Sequence, residues 1–227
     1  MDYGLGNLFS VAQACTHVGM SPVITSEPRE VSNADVVILP GVGAFGDAME
    51  HLKRLDLVSP LRDVAQSDKP LIAICLGMQL LMTESYEFGR HAGLGIIAGS
   101  VVHLADSPES SRHSDNQATA RVKVPQVGWN RIFRQESAGG PKLNGLNSDH
   151  WASSPLSGLG NGEFMYFVHS YHVEPEDASL VLSVSRYGES EFCSSLHYRN
   201  IFGFQFHPER SGLPGLQIYR NIQSSPN

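Results

Sequence analysis

Leu71-Ile72-Ala73-Ile74-Cys75-Leu76-Gly77-Met78-Gln79 is the stretch that decides the fold. An uninterrupted apolar run ending at Cys75 reads as a strand buried on both faces, since a half-wet strand would alternate polar and apolar residues. Residues 77–83 then read as helical. The same order occurs upstream, where Val36-Val37-Ile38-Leu39 runs into Pro40-Gly41 and a helical stretch follows over 47–62. Nearer the start, Asn7 is placed to cap a helix carrying Leu8, Val11, Ala12, Cys15 and Val18 on one face, with Gly19 as its stop. Strand alternating with helix predicts an α/β fold: an open, mostly parallel, flavodoxin-like sheet flanked by helices.

Further along, residues 122–124, 164–168, 180–185, 191–197 and 201–206 read as short strands with turns such as Arg186-Tyr187-Gly188-Glu189 between them. They predict antiparallel strands appended to the open sheet, and residues 213–222 read as a closing helix. Segments 105–120 and 135–162 are rich in Ser, Gly, Asn and Pro and read as mobile loops, with Trp151 as the anchor of the second. The whole, residues 1–227, reads as one domain, because 227 residues are too few for two full-sized ones. Residues 2–7 resemble a loop that comes after a strand, so a short Ile/Val-rich strand is expected upstream of Met1.

The chemistry gathers at strand ends. Cys75 sits on a strand-to-helix turn, where a side chain is exposed at the sheet edge and nearby N–H groups favour a thiolate and an oxyanion. A buried strand cysteine is ordinarily inert packing, and Cys15 and Cys193 keep that reading. His207-Pro208-Glu209 follows another strand; the proline fixes a corner from which Glu209 can hold one ring nitrogen of His207 while the other faces a thiol. Alone the tripeptide is a surface turn, but with Cys75 it completes a nucleophile, base and orienting acid. Gly41, Val42 and Gly43 follow the other buried strand and can turn backbone N–H groups toward developing negative charge. No Lys-Ser or Lys-Thr follows those glycines, so a nucleotide-phosphate loop is not indicated. His17, His51, His91, His103, His113 and His197 read as solvated or half-buried.

These motifs stand in a known order. The segments 40–46 (PGVGAFG), 75–79 (CLGMQ), 124–130 (VPQVGWN), 166–171 (YFVHSY) and 205–209 (QFHPE) resemble those of the class I, or triad, glutamine amidotransferases. The resemblance spans nearly the whole chain and is nearest to the branch of glutaminase subunits that serve histidine biosynthesis. It implies the amidotransferase fold and a Cys75–His207–Glu209 triad that hydrolyses glutamine through a thioester. It implies an oxyanion site at Gly41, Val42, Gly43 and Leu76, and a hold on the amino-acid end of glutamine by Gln79 and the backbone of Ser170 and Tyr171. It also implies a (βα)8-barrel cyclase subunit as heterodimer partner, contacted through Asn7, Gln126, Trp129, Asn130 and Arg210 and taking the ammonia directly. No cofactor or metal is implied. The chain departs from the family at Ala73, where relatives usually have Gly, and at Gln126, often His.

Composition narrows the field further. Asp+Glu 23 against Lys+Arg 16 gives a net charge of -7, a poor match for nucleic acid or an anionic membrane. Three cysteines without a CxxC pair exclude a readable zinc knuckle or disulfide framework, and a reducing, cytoplasmic setting is expected. Two alternatives stay open: a paralogous subunit supplying ammonia to a sugar-modifying synthetase, and a catalytically silent docking subunit.

Overall fold

The computed structural model describes residues 1–105, 123–135 and 151–224. In chain order the elements are α1 (Leu8–His17), α2 (Pro28–Asn33), β1 (Val37–Leu39), α3 (Phe45–Arg54), α4 (Val58–Gln66), β2 (Leu71–Ile74), α5 (Leu76–Leu80), β3 (Met82–Ser85), β4 (His91–Ala92), β5 (Ile97–His103) and β6 (Gln126–Arg134). Then come β7 (Glu163–His169), β8 (Tyr171–Pro175), β9 (Val181–Tyr187), β10 (Ser190–Tyr198), β11 (Ile201–Phe204) and α6 (Gly212–Ser224).

A seven-stranded sheet has the order β1-β2-β11-β10-β9-β6-β7. Its first three strands are parallel, with Val37 opposite Leu71 and Ile72 opposite Phe202. From β10 onward it is antiparallel. The fold is thus the expected α/β arrangement with appended antiparallel strands. A second sheet, β4-β3-β5-β8, lies beside it.

The central strand β2 shows why its sequence is apolar throughout. Leu71 and Ala73 belong to one buried cluster with Phe45, Leu52, Leu61 and Val64 of α3 and α4. Ile72 and Ile74 belong to the other, with Val11 and Cys15 of α1 and Ile218 and Ile222 of α6. Each large side chain so buried is worth roughly 1.5–3 kcal/mol. Asn7 caps α1, its side chain accepting from Ser10 N.

The structure corrects several boundaries. The helix expected over 47–62 is two helices, α3 and α4, joined through Asp56 at φ +53. Pro60 requires this: in a continuous helix it would lack its N–H and clash one turn back, whereas in the first turn of α4 neither matters. Residues 77–83 are not one helix, since α5 stops at Leu80 and Met82 opens β3, paired with Ile97 of β5. The strand expected at 122–124 begins instead at Gln126, past Pro125, which has no N–H for a ladder. Of the two expected loops, residues 106–122 and 136–150 lie outside the described residues. Trp151 is an anchor, buried with its indole N–H donating to Leu182 O at 2.8 Å.

Strand β1 is the edge of the large sheet. An open groove of about 720 Å³ beside it is lined by Leu8, Val11, Cys15, Ile24, Val36 and Ile38, among others. The Met1 ammonium donates to Ile38 O and Asp2 N to Thr25 O at one end of the chain's path there.

Candidate active site

Cys75 follows β2, which lies between its two parallel neighbours, and its own N–H donates to Phe204 O of β11 at 2.7 Å. Its backbone stands at φ +53, ψ −110, a conformation that costs a non-glycine residue about 1–3 kcal/mol and persists only where the surroundings fix it. They do so by close approach. A Cβ on Gly77 would overlap the Leu39 carbonyl of β1, so α5 starts in direct backbone contact with the sheet.

His207 ends the segment after β11, and its N–H donates to Tyr166 O of β7 at 2.9 Å. Pro208–Arg210 form one 3-10 turn, which brings the Glu209 carboxylate 2.8 Å from His207 Nδ1. A carboxylate can only accept here, so Nδ1 carries the hydrogen and Nε2 is free for proton transfer. Nε2 is buried and makes no hydrogen bond among the described residues. Burial opposes charge on this ring, but facing a charged Cys75 sulfur, and then Glu209, its pKa rises from 6.5 to about 10, so the imidazolium is favoured once it holds the cysteine proton. The turn is seated on α6 without a side chain between: a Cβ on Gly215 would overlap the Pro208 carbonyl.

Cys15 and Cys193 stay apart from this arrangement. Burial raises both thiols, Cys15 to about 11, and Cys193 donates to Ser195 O. Among the described residues no group of three His, Cys, Asp or Glu is placed to hold a metal ion.

A chain of amides runs beside the sulfur. Gln79 Nε2 donates to Tyr171 O at 2.9 Å and to Gln205 Oε1 at 3.3 Å, and Gln205 Nε2 donates to Cys75 Sγ at 3.7 Å. Tyr171 O also accepts from His169 Nδ1, so it already has two donors. Ser170 O is taken by Leu104 N. With its NH2 group engaged, Gln79 has its carbonyl oxygen to offer to a cationic ligand.

The 41–43 loop approaches the start of α5, where Gly41 lies against Leu76 and Gly77. The Tyr3 hydroxyl donates to Pro40 O at 2.7 Å, and a Cβ on Gly41 would overlap that hydroxyl and crowd Leu76. Gly43 has φ +111, which favours glycine. Val42 and Gly43 are exposed above the buried Leu76. Glu87, from the loop after β3, accepts from Phe45 N at the start of α3.

The residues expected at a partner surface divide between two faces. Trp129 is 56% exposed, packs edge-on against Tyr166, and Arg210 lies 4.6 Å over the Tyr166 ring. Gln126 is 3% exposed and hydrogen-bonded to His169, and Asn130 donates to Arg186 O. Successive residues of a strand point to opposite faces, so Gln126 and Asn130 stand behind the surface that Trp129 presents. Asn7 is half-buried at the start of α1. Tyr3, Glu87 and Gln205 were missed as site residues; only Gln205, two positions before His207, carried a signal in its spacing.

A family model described as glutamine amidotransferase class-I matches residues 1–222. The chain is similar to the imidazole glycerol phosphate synthase subunit HisH of Aquifex aeolicus, with 44% identity over 98% of this chain and 94% of that protein. A subunit of the same name from Syntrophotalea carbinolica is also 44% identical, over 98% of this chain and 97% of that one. Among solved structures, PurLQS from Thermotoga maritima shares the fold with TM-score 0.67 and 17% identity, covering 98% of this chain and 94% of that chain. So does the Trypanosoma brucei CTPS glutaminase domain with bound acivicin, at TM-score 0.58 and 14% identity, covering 96% and 86%.

Proposed function

The chain belongs to the class-I glutamine amidotransferase family, and from that premise we propose that it is the glutaminase subunit of an imidazole glycerol phosphate synthase, a single amidotransferase domain working in histidine biosynthesis. The observation that carries the reading is the Cys75–His207–Glu209 arrangement, in a chain 44% identical over nearly its full length to proteins named as that subunit.

The geometry supports a definite sequence of steps. His207 Nε2 takes the Cys75 proton, and Glu209 steadies the imidazolium so formed. The sulfur attacks the side-chain carbonyl of glutamine. The oxyanion is held by backbone N–H groups around Val42, Gly43 and Leu76, with Gly41 letting the loop lie this close. As the tetrahedral species collapses, His207 returns the proton to the leaving nitrogen, and ammonia departs from the thioester. Water, deprotonated by the same ring, cleaves the thioester to glutamate and restores the thiol. The Gln79 carbonyl oxygen accepts from the substrate ammonium, with the backbone of Ser170 and Tyr171 alongside.

Ammonia passes in this reading to a (βα)8-barrel cyclase subunit docked on the Trp129–Tyr166–Arg210 surface, with Asn7 at its border and Gln126 and Asn130 supporting it from behind. Aromatic and arginine side chains exposed together are typical of interface centres. A cytoplasmic setting keeps the thiols reduced, and the three cysteines are free. No described helix is long and apolar enough to cross a membrane.

The test is glutamate and ammonia release from glutamine by the purified chain, alone and with a cyclase subunit and its nucleotide ligand. The expected result is hydrolysis that rises on adding the cyclase. No hydrolysis under either condition refutes the reading.

A further inference from the structure

Gln205 is fully buried beside the sulfur, and a buried carboxamide is tolerated where its polar atoms find partners. Its orientation is set by its neighbours. The Tyr171 carbonyl can only accept, so Gln79 must turn its NH2 group there, at 2.9 Å. The second hydrogen of that NH2 points at Gln205, 3.3 Å away, and requires an oxygen to receive it. Gln205 therefore presents Nε2 to Cys75 Sγ, at 3.7 Å. The sulfur's other polar neighbour is Val168 O, at 3.8 Å, which is useful only to a thiol S–H. An N–H donor is useful chiefly to a sulfur that carries charge.

We infer that Gln205 is a catalytic residue, donating from Nε2 to the Cys75 sulfur in its charged form, and that Gln79 holds the carboxamide in that orientation. The inference rests on Cys75 being the nucleophile of the proposed reaction. Val168 O and Gln205 select opposite protonation states of one atom: the first holds the resting thiol, the second receives the sulfur once His207 has taken its proton. Gln205 transfers no proton itself. The titratable groups that act on the sulfur are His207, backed by Glu209, and Tyr3, whose hydroxyl is committed to Pro40 O. Gln79 thus has two tasks, one toward the substrate and one toward the nucleophile.

Alkylation of Cys75 by iodoacetamide, with peptide mapping of the product, tests this without glutamine or partner. In Gln205→Glu the acceptor toward Gln79 remains and the donor to sulfur is lost; in Gln205→Met the volume remains and both are lost. Both variants are expected to alkylate about tenfold more slowly than wild type at pH 7. With the cyclase present, Gln205→Glu is expected to lower kcat about tenfold with KM within about twofold, because Gln79 keeps its acceptor. A measurement on the wild-type chain covers the case in which neither variant folds. The Gln205 side-chain NH2 proton resonance should move as the pH is varied in wild type and stay still in Cys75→Ser. Wild-type alkylation at pH 7 in both variants, or an NH2 resonance that moves equally in Cys75→Ser, overturns the inference. Failure of the wild-type complex to hydrolyse glutamine overturns the proposed function instead, since the alkylation and resonance readings do not depend on substrate.

Discussion

Acidification from pH 7 to pH 5 puts a proton on His169 in the unfolded chain but not in the folded one. His169 is 6% exposed. Burial lowers its pKa from 6.5 to about 3, with the charges of His172 and His207 adding to the effect and the bond to Tyr171 O opposing it. The folded ring is neutral, with Nδ1–H donating to Tyr171 O and Nε2 lying 3.1 Å from the Gln126 carboxamide oxygen. Below pH 6.5 the unfolded state therefore binds the extra proton. Stability from this residue is fully present above pH 6.5 and is lost as pH falls toward 3, at about 1.4 kcal/mol per pH unit. Between pH 6.5 and 5 that amounts to roughly 2 kcal/mol, or about 4–8 °C in Tm for a chain of this size. Carboxylates held low, Glu84 by Tyr86, Glu174 by His172 and Asp177 by Ser179, titrate beneath this window. The assay is urea unfolding at pH 7, 6 and 5 and fixed ionic strength, for wild type and His169→Asn. The variant should start less stable at pH 7, having lost the Gln126 contact, and then lose about 2 kcal/mol less than wild type on going to pH 5. Parallel pH profiles for the two proteins refute the reasoning.

Cys75→Ala should abolish glutamine hydrolysis with the fold intact by circular dichroism, and an electrophilic glutamine analogue should label Cys75 in wild type; peptide mapping that finds the label on Cys15 or Cys193 contradicts the assignment. The isolated chain should hydrolyse glutamine roughly ten- to hundredfold more slowly than the complex, the range expected of a coupling between two sites; equal rates would show that no gating exists. Arg210→Glu should weaken the complex about tenfold in Kd while changing unfolding stability by less than about 1 kcal/mol, because the guanidinium is exposed and stacks on one ring. Gly77→Ala should cost at least about 1–3 kcal/mol in chemical unfolding, since its methyl meets backbone that cannot swing away; a neutral effect would mean that α5 can lift from β1.

The parallel core and the place of Cys75 at the end of it were legible because their signal is local. An apolar run without polar alternation marks a strand covered on both faces, as at β2, and Cys75 stands at the end of that strand, buried rather than exposed. The equally apolar run at β1 lies at the edge of the sheet. The second sheet was not legible: β3 carries Thr83 and Glu84, and β5 carries Gly99, where a side chain would strike the backbone of β8. Their pairing depends on segments far apart in sequence. Glu87 was hidden for the same reason, its partner Phe45 lying in another element. The division of the residues proposed for a partner surface was written in the chain, since Trp129 and Asn130 are neighbours and cannot share a face of one strand. The break before α4 was equally available in Pro60. Gln205 could be placed beside the histidine by count, but which atom it turns to sulfur depends on Gln79 and Tyr171, which only the folded chain brings there.

The two glycine contacts under the triad have a consequence for how this protein can change over time. At Gly77 and at Gly215 the piece carrying a reacting group rests on a neighbouring carbonyl, with no side chain as a shim. The height of Cys75 above β1, and of the His207–Glu209 turn above α6, is therefore fixed by peptide groups, which every sequence shares. Leu, Ile, Val and Met in the surrounding clusters can be exchanged for one another, and the packing can shift by a methyl here and there, without these two heights altering. Side chains in the interior are free to drift while the distances that matter for chemistry stay put, on condition that the two glycines do not.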